Sequence, residues 1–279
     1  MVIRVHSGGG RNSIPLWKAP SEVFGNVWKH RDLTRHMIRK DIKLTYHGTV
    51  LGYFWTLLEP LLFTAILYAV FMILRGQSDP EMPLLVIIGI MIYTCFSRTV
   101  SACTQALVNN SSLIAMIYFP REIFHASIVG FQLYKLVMSL LVIIPMMIWL
   151  KIMPSVTLLL LIPAILGIGM LAVGIGMFAS ILQVKIRDVS QLVTVLLRAG
   201  FFISGVFYGA EHVPPEWVDI HLLNPVAVYI EMSRNAIIGS DYGVLELRHM
   251  LLAGAFSLSS LIIGMFFFKR NESKVVKYL

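Results

Sequence analysis

Residues 155–182 read SVTLLLLIPAILGIGMLAVGIGMFASIL, without a single charged side chain. An α-helix rises about 1.5 Å per residue, so this run is long enough to cross the ~30 Å hydrocarbon core of a bilayer. The composition of the whole chain agrees, because 57% of its 279 residues are hydrophobic and only 14% are charged. Soluble proteins carry about a quarter charged residues. The sequence therefore predicts an integral membrane protein.

Five further apolar runs bring the predicted number of transmembrane helices to six. In chain order the six predicted spans are 56–74, 84–107, 123–150, 155–182, 189–208 and 250–268. Residues 213–238 are different, because Asn224-Pro225 divides them into two moderately apolar halves that are too short to span a bilayer. Proline suits the first turn of a helix, so we expect a re-entrant helix pair there. The predicted fold is thus all-α, with six transmembrane helices and this pair between the fifth and sixth.

The distribution of Lys and Arg orients the predicted helices. If the N-terminus is cytoplasmic, sixteen of the Lys and Arg residues outside the spans lie on the cytoplasmic side, and only Arg75, Lys151, Arg234 and Arg248 lie outside. Membrane proteins show this excess of positive charge in their cytoplasmic loops. The net charge of +8 is therefore a topology signal and no indication of nucleic-acid binding. We expect a multi-pass membrane protein with both termini in the cytoplasm.

The N-terminal part of the chain differs from the rest in being polar and basic. It shows no cleavable signal peptide, and we expect a cytoplasmic segment over 1–50, a transmembrane domain over 51–270 and a cytoplasmic tail over 271–279. Residues 27–45 predict an amphipathic helix, because Arg35, Arg39 and Lys43 recur at four-residue spacing. Such a helix can lie in the lipid headgroup layer or bind a partner, and the two roles are compatible.

Sequence signatures of catalysis are missing. The chain contains no G-x-x-x-x-G-K-[ST] phosphate loop, no H-E-x-x-H or C-x-x-C metal motif and no G-x-S-x-G nucleophile motif. Cys95 and Cys103 lie in one apolar run and cannot form the disulfide framework of a small secreted domain. We therefore expect a chain that is not itself an enzyme and that binds no metal or cofactor of its own.

Four Asp, Glu, Lys or Arg residues lie inside predicted spans: Glu59, Arg98, Lys135 and Arg198. A charge at the centre of a bilayer costs at least ~2.5 kcal/mol on insertion scales, so such residues usually face the interior of a bundle or a water-filled path. Three cations and one carboxylate leave a positive excess that suits a substrate carrying phosphate. The alternative, that each cation only bonds a neighbouring helix, stays open.

Aromatic residues cluster at the ends of the first and fifth predicted spans. The first cluster is Tyr53-Phe54-Trp55, and the second comprises Phe201-Phe202 and Phe207-Tyr208. Such rings could provide sliding surfaces for the apolar faces of sugars. An ordinary interfacial aromatic belt also explains most of them.

Three parts of the sequence resemble, in order and spacing, the permease subunits of the type-2 ABC polysaccharide exporters. The first is RKDIKLTY at 39–46 with LGYFW at 51–55 and Glu59-Pro60, and the second is FPREIF at 119–124. The third runs from RDVSQ at 187–191 through Phe207-Tyr208 to Val213-Pro214, Trp217 and Leu223-Asn224-Pro225. The resemblance extends over nearly the whole chain from about residue 31. It departs from many relatives at Gly205, where proline is common, and over 209–212.

The resemblance implies a homodimer in the bacterial plasma (inner) membrane that exports a lipid-linked polysaccharide such as O-antigen, capsule or teichoic acid. Two separate ATP-binding-cassette subunits would hold ATP and Mg. The first and fifth spans would line the path, residues 109–121 would contain the helix that couples to the ATPase, and the re-entrant pair would lie outside. The expected path residues are Tyr53, Trp55, Glu59, Arg98, Lys135, Arg198, Phe202 and Tyr208. The expected coupling residues are Arg39, Lys43, Asn109, Ile114, Tyr118, Arg121 and Glu122.

Other interpretations stay open at this point. The same fold could carry a drug or a simple lipid. An intramembrane glycan-processing enzyme would need a carboxylate or nucleophile cluster, for which only the acidic residues of the predicted outer loop are candidates. A secondary transporter would commonly show inverted repeats, and the sequence contains no recognisable repeat.

Overall fold

The computed structural model describes residues 18–75, 81–116, 119–239 and 245–275. Within these ranges the chain forms helices and no β-strand. Short 3-10 helices occupy Gly52–Phe54, Val156–Leu160 and Ala210–His212. The α-helices are α1 (Ala19–Lys29), α2 (Arg31–Tyr46), α3 (Trp55–Arg75), α4 (Met82–Asn109), α5 (Ser111–Met116), α6 (Glu122–Leu140), α7 (Ile143–Leu150), α8 (Leu161–Lys185), α9 (Val189–Ile203), α10 (Pro215–His221), α11 (Pro225–Ile238) and α12 (Leu247–Val275).

Five helical segments of the described chain are long and apolar enough to cross a membrane, one fewer than predicted. They are Gly52–Val70, Met82–Asn109, Glu122–Leu150, Val156–Lys185 and Leu247–Glu272. The predicted fifth span is α9, which has only 15 residues, or about 22 Å of helix. It ends at Ile203 and not at residue 208, because the chain turns at Gly205, whose φ is +67°. That left-handed conformation is readily adopted by glycine.

The third predicted span is interrupted by a proline. Leu141 and Val142 separate α6 from α7, and Pro145 follows within α7. Because proline has no backbone N–H, Pro145 cannot donate the usual helical hydrogen bond to the Leu141 carbonyl, and its ring crowds that carbonyl. Pro145 therefore accounts for the break between α6 and α7 at Leu141 and Val142.

The core of the bundle lies around α4. Every residue from Leu84 to Tyr93 is buried, as expected for a helix that is apolar on all sides. Helix α4 contacts α3, α6, α8, α9 and α11, and α8 packs along α12 on its other side. The bundle thus places α4 next to most of the other long helices.

Two helices, rather than one, occupy the N-terminal region where an amphipathic helix was predicted. Helix α1 buries Ala19 and Val23 and contacts α6 and α12, whereas α2 contacts α6. Arg35, Arg39 and Lys43 of α2 are exposed, as the four-residue spacing predicts. The location of these helices in a headgroup layer stays a prediction.

Two helices also occupy residues 213–238, where a helix pair was predicted. Asn224 Oδ1 accepts a hydrogen bond of 3.0 Å from the Val226 backbone N–H, and Pro225 is the first residue of α11. This side-chain cap and the proline explain why α11 begins there. Helix α11 ends before Gly239. That the pair is re-entrant stays a prediction.

Candidate functional site

Polar and apolar residues of α3, α4 and α6 line a cavity of about 300 Å³. Three of the four charged residues predicted to lie inside spans, Glu59, Arg98 and Lys135, line it together. From the helix ends that flank residues 109–121, Arg98 and Lys135 lie about 16 and 20 Å along α4 and α6 at 1.5 Å per residue. The rest of the polar lining is Thr56, Thr94, Gln132 and Ser139.

An ion pair and a third charged group define the electrostatics of this cavity. Arg98 Nη2 donates a hydrogen bond to Glu59 Oε1. Lys135 belongs to α6, and its ammonium lies 5.7 Å from the centre of the Phe131 ring. The Arg98 and Glu59 side chains are 37% and 55% exposed, so the cavity is open to its surroundings. With one carboxylate and two cations, the cavity carries an excess positive charge and can receive an anion.

A proline in α3, Pro60, explains hydrogen bonds at one end of the cavity. Pro60 lies inside α3, so the carbonyl of Thr56 lacks its usual helical donor. Ser139 Oγ of α6 donates a hydrogen bond of 3.3 Å to that carbonyl. The hydroxyl of Tyr46, at the end of α2, hydrogen-bonds the Thr56 hydroxyl. These bonds join α2, α3 and α6 at one end of the cavity.

Arg198 is separate from this cavity. It is exposed on α9 and makes no hydrogen bond or ion pair with any described residue. Glu59, the only carboxylate inside a predicted span, is paired with Arg98, and no ion pair between Arg198 and Glu59 occurs among the described residues. The Phe63 and Phe201 ring centres lie 6.1 Å apart, so α3 and α9 approach each other on one side of the subunit.

The predicted aromatic path residues lie at the ends of these two helices. Tyr53 and Trp55 are exposed before and at the start of α3. Phe202 is 64% exposed at the end of α9. Tyr208 lies beyond α9 in the following turn, and its hydroxyl donates to the Phe202 carbonyl. The structure therefore brings Glu59, Arg98 and Lys135 together and leaves the aromatic residues outside the cavity.

The predicted coupling residues fall around the short helix α5. Asn109 is exposed at the end of α4, and Ile114 of α5 is buried. Tyr118 lies outside the described residues. Arg39 and Lys43 are exposed on α2. The helix expected between the second and third spans is thus present in the described part of 109–121.

Arg121 and Glu122 belong to a buried charged cluster that the sequence did not predict. Glu122 is fully buried and lies 2.8 Å from Lys269 Nζ, and its Oε1 accepts a hydrogen bond of 2.7 Å from Asn26. Lys269 also contacts Glu22 and Glu272, at 3.5 and 3.1 Å. Arg121 donates to the backbone carbonyl of Glu272. This cluster joins α1, the start of α6 and the end of α12.

A second buried charge pair lies at the opposite end of the bundle. Arg234 was counted with the charges outside the membrane, within the predicted re-entrant pair; its side chain is fully buried and lies 2.7 Å from Glu231. The sequence signal that could have revealed it is Glu-x-x-Arg within the apolar helix α11, a spacing that brings both side chains to one face. A buried charge needs such a partner.

The turn between α9 and α10 lies against this pair. His221 packs beside it, with its ring centre 5.6 Å from that of Tyr208. Burial lowers the pKa of the His221 imidazole, and the nearby positive charge of Arg234 lowers it further, so the ring is neutral at pH 7. Gly205 in this turn adopts a φ of +67° that proline, with φ near −65°, cannot adopt. The departure from proline noted at this position therefore has a conformational consequence.

The chain resembles known membrane proteins over most of its length. The profile of the family described as "ABC-2 type transporter" matches residues 32–238. The O-antigen export system permease protein RfbA of Klebsiella pneumoniae is 26% identical over 216 residues, which cover 76% of this chain and 83% of that protein. RfbA of Myxococcus xanthus is 25% identical over 186 residues, covering 65% and 70%. The polysialic acid transport protein KpsM of Escherichia coli is 21% identical over 243 residues, covering 85% and 92%. Because the family profile spans well over half of the chain, the protein belongs to the ABC-2 type transporter family.

Proposed function

We propose that this chain is the permease subunit of an exporter that moves a lipid-linked polysaccharide outward across the bacterial plasma membrane. ATP hydrolysis on separate subunits drives the movement, and this chain is not itself the ATPase. The observation that carries the proposal is the positively charged cavity formed by Glu59, Arg98 and Lys135 between apolar helices. Relatives named as O-antigen export and polysialic acid transport proteins support the class of substrate.

The cavity suits the phosphate that links a glycan to its lipid carrier. A phosphate can accept hydrogen bonds from both cations, and such charge-assisted bonds are roughly twice as strong as neutral ones. The Arg98–Glu59 pair keeps Arg98 neutralised when no anion is bound, while Lys135 has no carboxylate within ion-pair distance among the described residues. Lys135 is therefore the cation of this cavity whose charge is available to a phosphate without breaking an ion pair.

The proposed assembly is a homodimer in which α3 and α9 of each copy face the path. Both helices expose apolar side chains, and the Phe63–Phe201 contact places them on the same side of the subunit. Helix α9 is about 8 Å shorter than a ~30 Å hydrocarbon core. A helix that borders a water-filled path between two copies can be shorter than the bilayer is thick, since its ends need not contact lipid. Helix α9 then serves as the fifth of six spans, α10 and α11 are re-entrant on the outer side, and both termini are cytoplasmic.

The proposed contact with the ATPase lies around α5. A soluble motor reaches membrane helices only through their cytoplasmic ends, and α5 connects two of the helices that line the cavity. Asn109 and the exposed basic residues Arg39 and Lys43 offer surface to such a partner. Glu122 serves the buried cluster with Lys269 and does not offer such a surface.

Complementation of a deletion strain tests the function and the cavity together. The strain would receive the parent chain, Lys135→Gln or the matched control Lys151→Gln, whose side chain is exposed at the end of α7. Loss of one charge-assisted bond to phosphate predicts an export rate about tenfold lower for Lys135→Gln. We expect lipid-linked glycan to accumulate inside cells that carry Lys135→Gln and not inside cells that carry Lys151→Gln. Surface glycan is measured by immunoblot, and internal glycan by mass spectrometry.

Two results would contradict different parts of the proposal. Normal surface polysaccharide in the deletion strain would show that the chain carries another substrate, such as a drug or simple lipid. Normal export by Lys135→Gln at normal membrane abundance would exclude the cavity from the path and leave the polysaccharide assignment intact.

A further inference from the structure

The Arg234 guanidinium is saturated with hydrogen bonds inside the protein. Its Nε and Nη2 donate to the Leu85 carbonyl, both at 3.2 Å. Its Nη2 also donates to the Val206 carbonyl at 3.0 Å, and its Nη1 donates to the Tyr208 carbonyl at 2.8 Å and to Glu231 at 2.7 Å. All five N–H donors of the guanidinium are therefore used, in a side chain with no exposed surface.

The acceptors of these hydrogen bonds show which segments Arg234 connects. Leu85 belongs to the buried start of α4, whereas Val206 and Tyr208 belong to the irregular turn that follows α9. Buried backbone carbonyls require hydrogen-bond donors, and an irregular turn cannot supply all of them itself. Glu231 adds to the arrangement by accepting a hydrogen bond of 3.2 Å from the Ala210 backbone N–H. The pair therefore supplies hydrogen bonds that a regular helix would supply from its own backbone.

Glycine lets the turn and the guanidinium come this close to α4. A Cβ atom added at Gly89 would lie 2.6 Å from the Val206 carbonyl oxygen and 3.0 Å from Arg234 Nη2. Any larger residue would push the turn away from α4. On the other side of the turn, Asn224 donates a hydrogen bond of 2.9 Å to Ser204 Oγ.

Helix α9, which leads into this turn, is much less buried than the turn itself. None of the 15 residues of α9, all of which the structure describes, is buried. The three residues that follow it, Ser204, Gly205 and Val206, are all buried. Segments with many buried contacts move little, whereas segments with few buried contacts can move locally. Two hydrogen bonds attach α9 to its neighbours, from the Ser190 backbone N–H to Gln183 Oε1 and from the Tyr93 hydroxyl to the Leu197 carbonyl. A helix with no buried residue in the described subunit thus ends at a buried, firmly held turn.

We infer that Arg234 is a positioning residue that pins residues 204–210 to α4 and α11, making this turn the fixed pivot about which α9 moves during transport. The inference rests on the proposed function in one respect, that α9 borders the path. The pinned turn itself follows from the hydrogen bonds. A rearrangement of the path would then occur in α9 on the side of Val189, while the outer end of the helix keeps its position.

Cysteine labelling tests the pinning without any reference to transport. Val206 is fully buried, so Val206→Cys reports whether the turn opens. The native cysteines would be replaced in Cys95→Ala and Cys103→Ala, and N-ethylmaleimide would be added to membranes that contain the full chain. In Arg234→Lys, which cannot reproduce the planar fork of hydrogen bonds, we expect labelling about tenfold faster. Arg248→Met is the control, because Arg248 is an exposed arginine paired with Asp219.

Export measured per chain in the deletion strain tests the role of the pivot. We expect Arg234→Lys to lower export severalfold at equal membrane abundance, and Arg248→Met to leave it unchanged. Gly89→Ala perturbs the same turn from the side of α4. If Arg234→Lys does not reach the membrane, labelling and export are measured in Gly89→Ala instead. Faster labelling together with lower export is the supporting result in either variant.

The possible failures differ from one another. Unchanged labelling in Arg234→Lys and in Gly89→Ala would overturn the pinning. Faster labelling with unchanged export would overturn the pivot. If the parent chain itself restored no polysaccharide export, the proposed function would fail, while the labelling result would still decide whether the turn is pinned.

Discussion

Helices α9 and α11 are apolar, are nearly equal in length at 15 and 14 residues, and each contains one arginine, yet their surroundings are opposite. No residue of α9 is buried in the described subunit, whereas twelve residues of α11 are. Arg198 of α9 has no partner among the described residues, and Arg234 of α11 donates five hydrogen bonds. Apolar composition and length therefore do not determine whether an arginine is structural or available to a ligand.

The difference has an electrostatic cause. A guanidinium without contact to water must find acceptors in the protein, so α11 can be buried only because Glu231 and three carbonyls surround Arg234. Arg198 has no such acceptors and stays at the surface of the subunit. Such a group can be solvated in a path between copies or can bind an anionic substrate. Substitutions of the two arginines should therefore affect different properties.

The largest effect is expected for Arg234→Met. It leaves the Glu231 charge buried without its partner, which should destabilise the protein by about 3–5 kcal/mol. The matched substitution Arg198→Met should leave stability nearly unchanged, since surface changes usually alter it by less than about 0.5 kcal/mol. Thermal unfolding of the detergent-purified chain and its abundance in membranes measure both. Equal losses of stability in the two variants would contradict the comparison.

An intermediate effect, on transport and not on stability, is expected at Arg198. Arg198→Lys should impair export partially and Arg198→Ala more severely, because a lysine cannot reproduce the bidentate contact of a guanidinium with phosphate. Export and membrane abundance would be measured in the same cells. Full export by Arg198→Ala at normal abundance would exclude a role in binding substrate, and export that falls only in proportion to abundance would favour a structural role.

The smallest effect is expected for Gly205→Ala, at the junction of the two regions. Placing alanine at a φ of +67° should destabilise the protein by about 1–2 kcal/mol, because its Cβ clashes with the backbone in this conformation. The added Cβ would also lie 3.0 Å from His221 Nε2, a tight contact. Gly254→Ala is the control, since no atom lies within 4 Å of its added Cβ. A control loss as large as that of Gly205→Ala would show that the conformation of Gly205 is not the cause.

Charges within apolar runs were the residues of the candidate site that the sequence singled out. Glu59, Arg98 and Lys135 stand out because their insertion into a bilayer is unfavourable, and the structure brings these three together at one cavity. Their role in a substrate path stays a prediction. The predicted fifth span was not confirmed among the described residues, because the left-handed Gly205 shortens α9. A turn within an apolar run leaves no change of composition, so hydropathy alone could not locate it.

Composition and periodicity by themselves determined the membrane class, the helical fold and most helix positions. These properties depend on neighbouring residues along the chain and on the preference of each side chain for lipid or water. Both can be read from the sequence. Three sequence segments carried the family resemblance that the comparison confirms. Only the tertiary structure decided that Lys269 joins Glu22 and Glu122, and that Arg234 binds the carbonyl of Leu85, 149 residues away. Backbone carbonyls have no side-chain identity, so no sequence pattern reveals which of them an arginine will bind until the helices have packed.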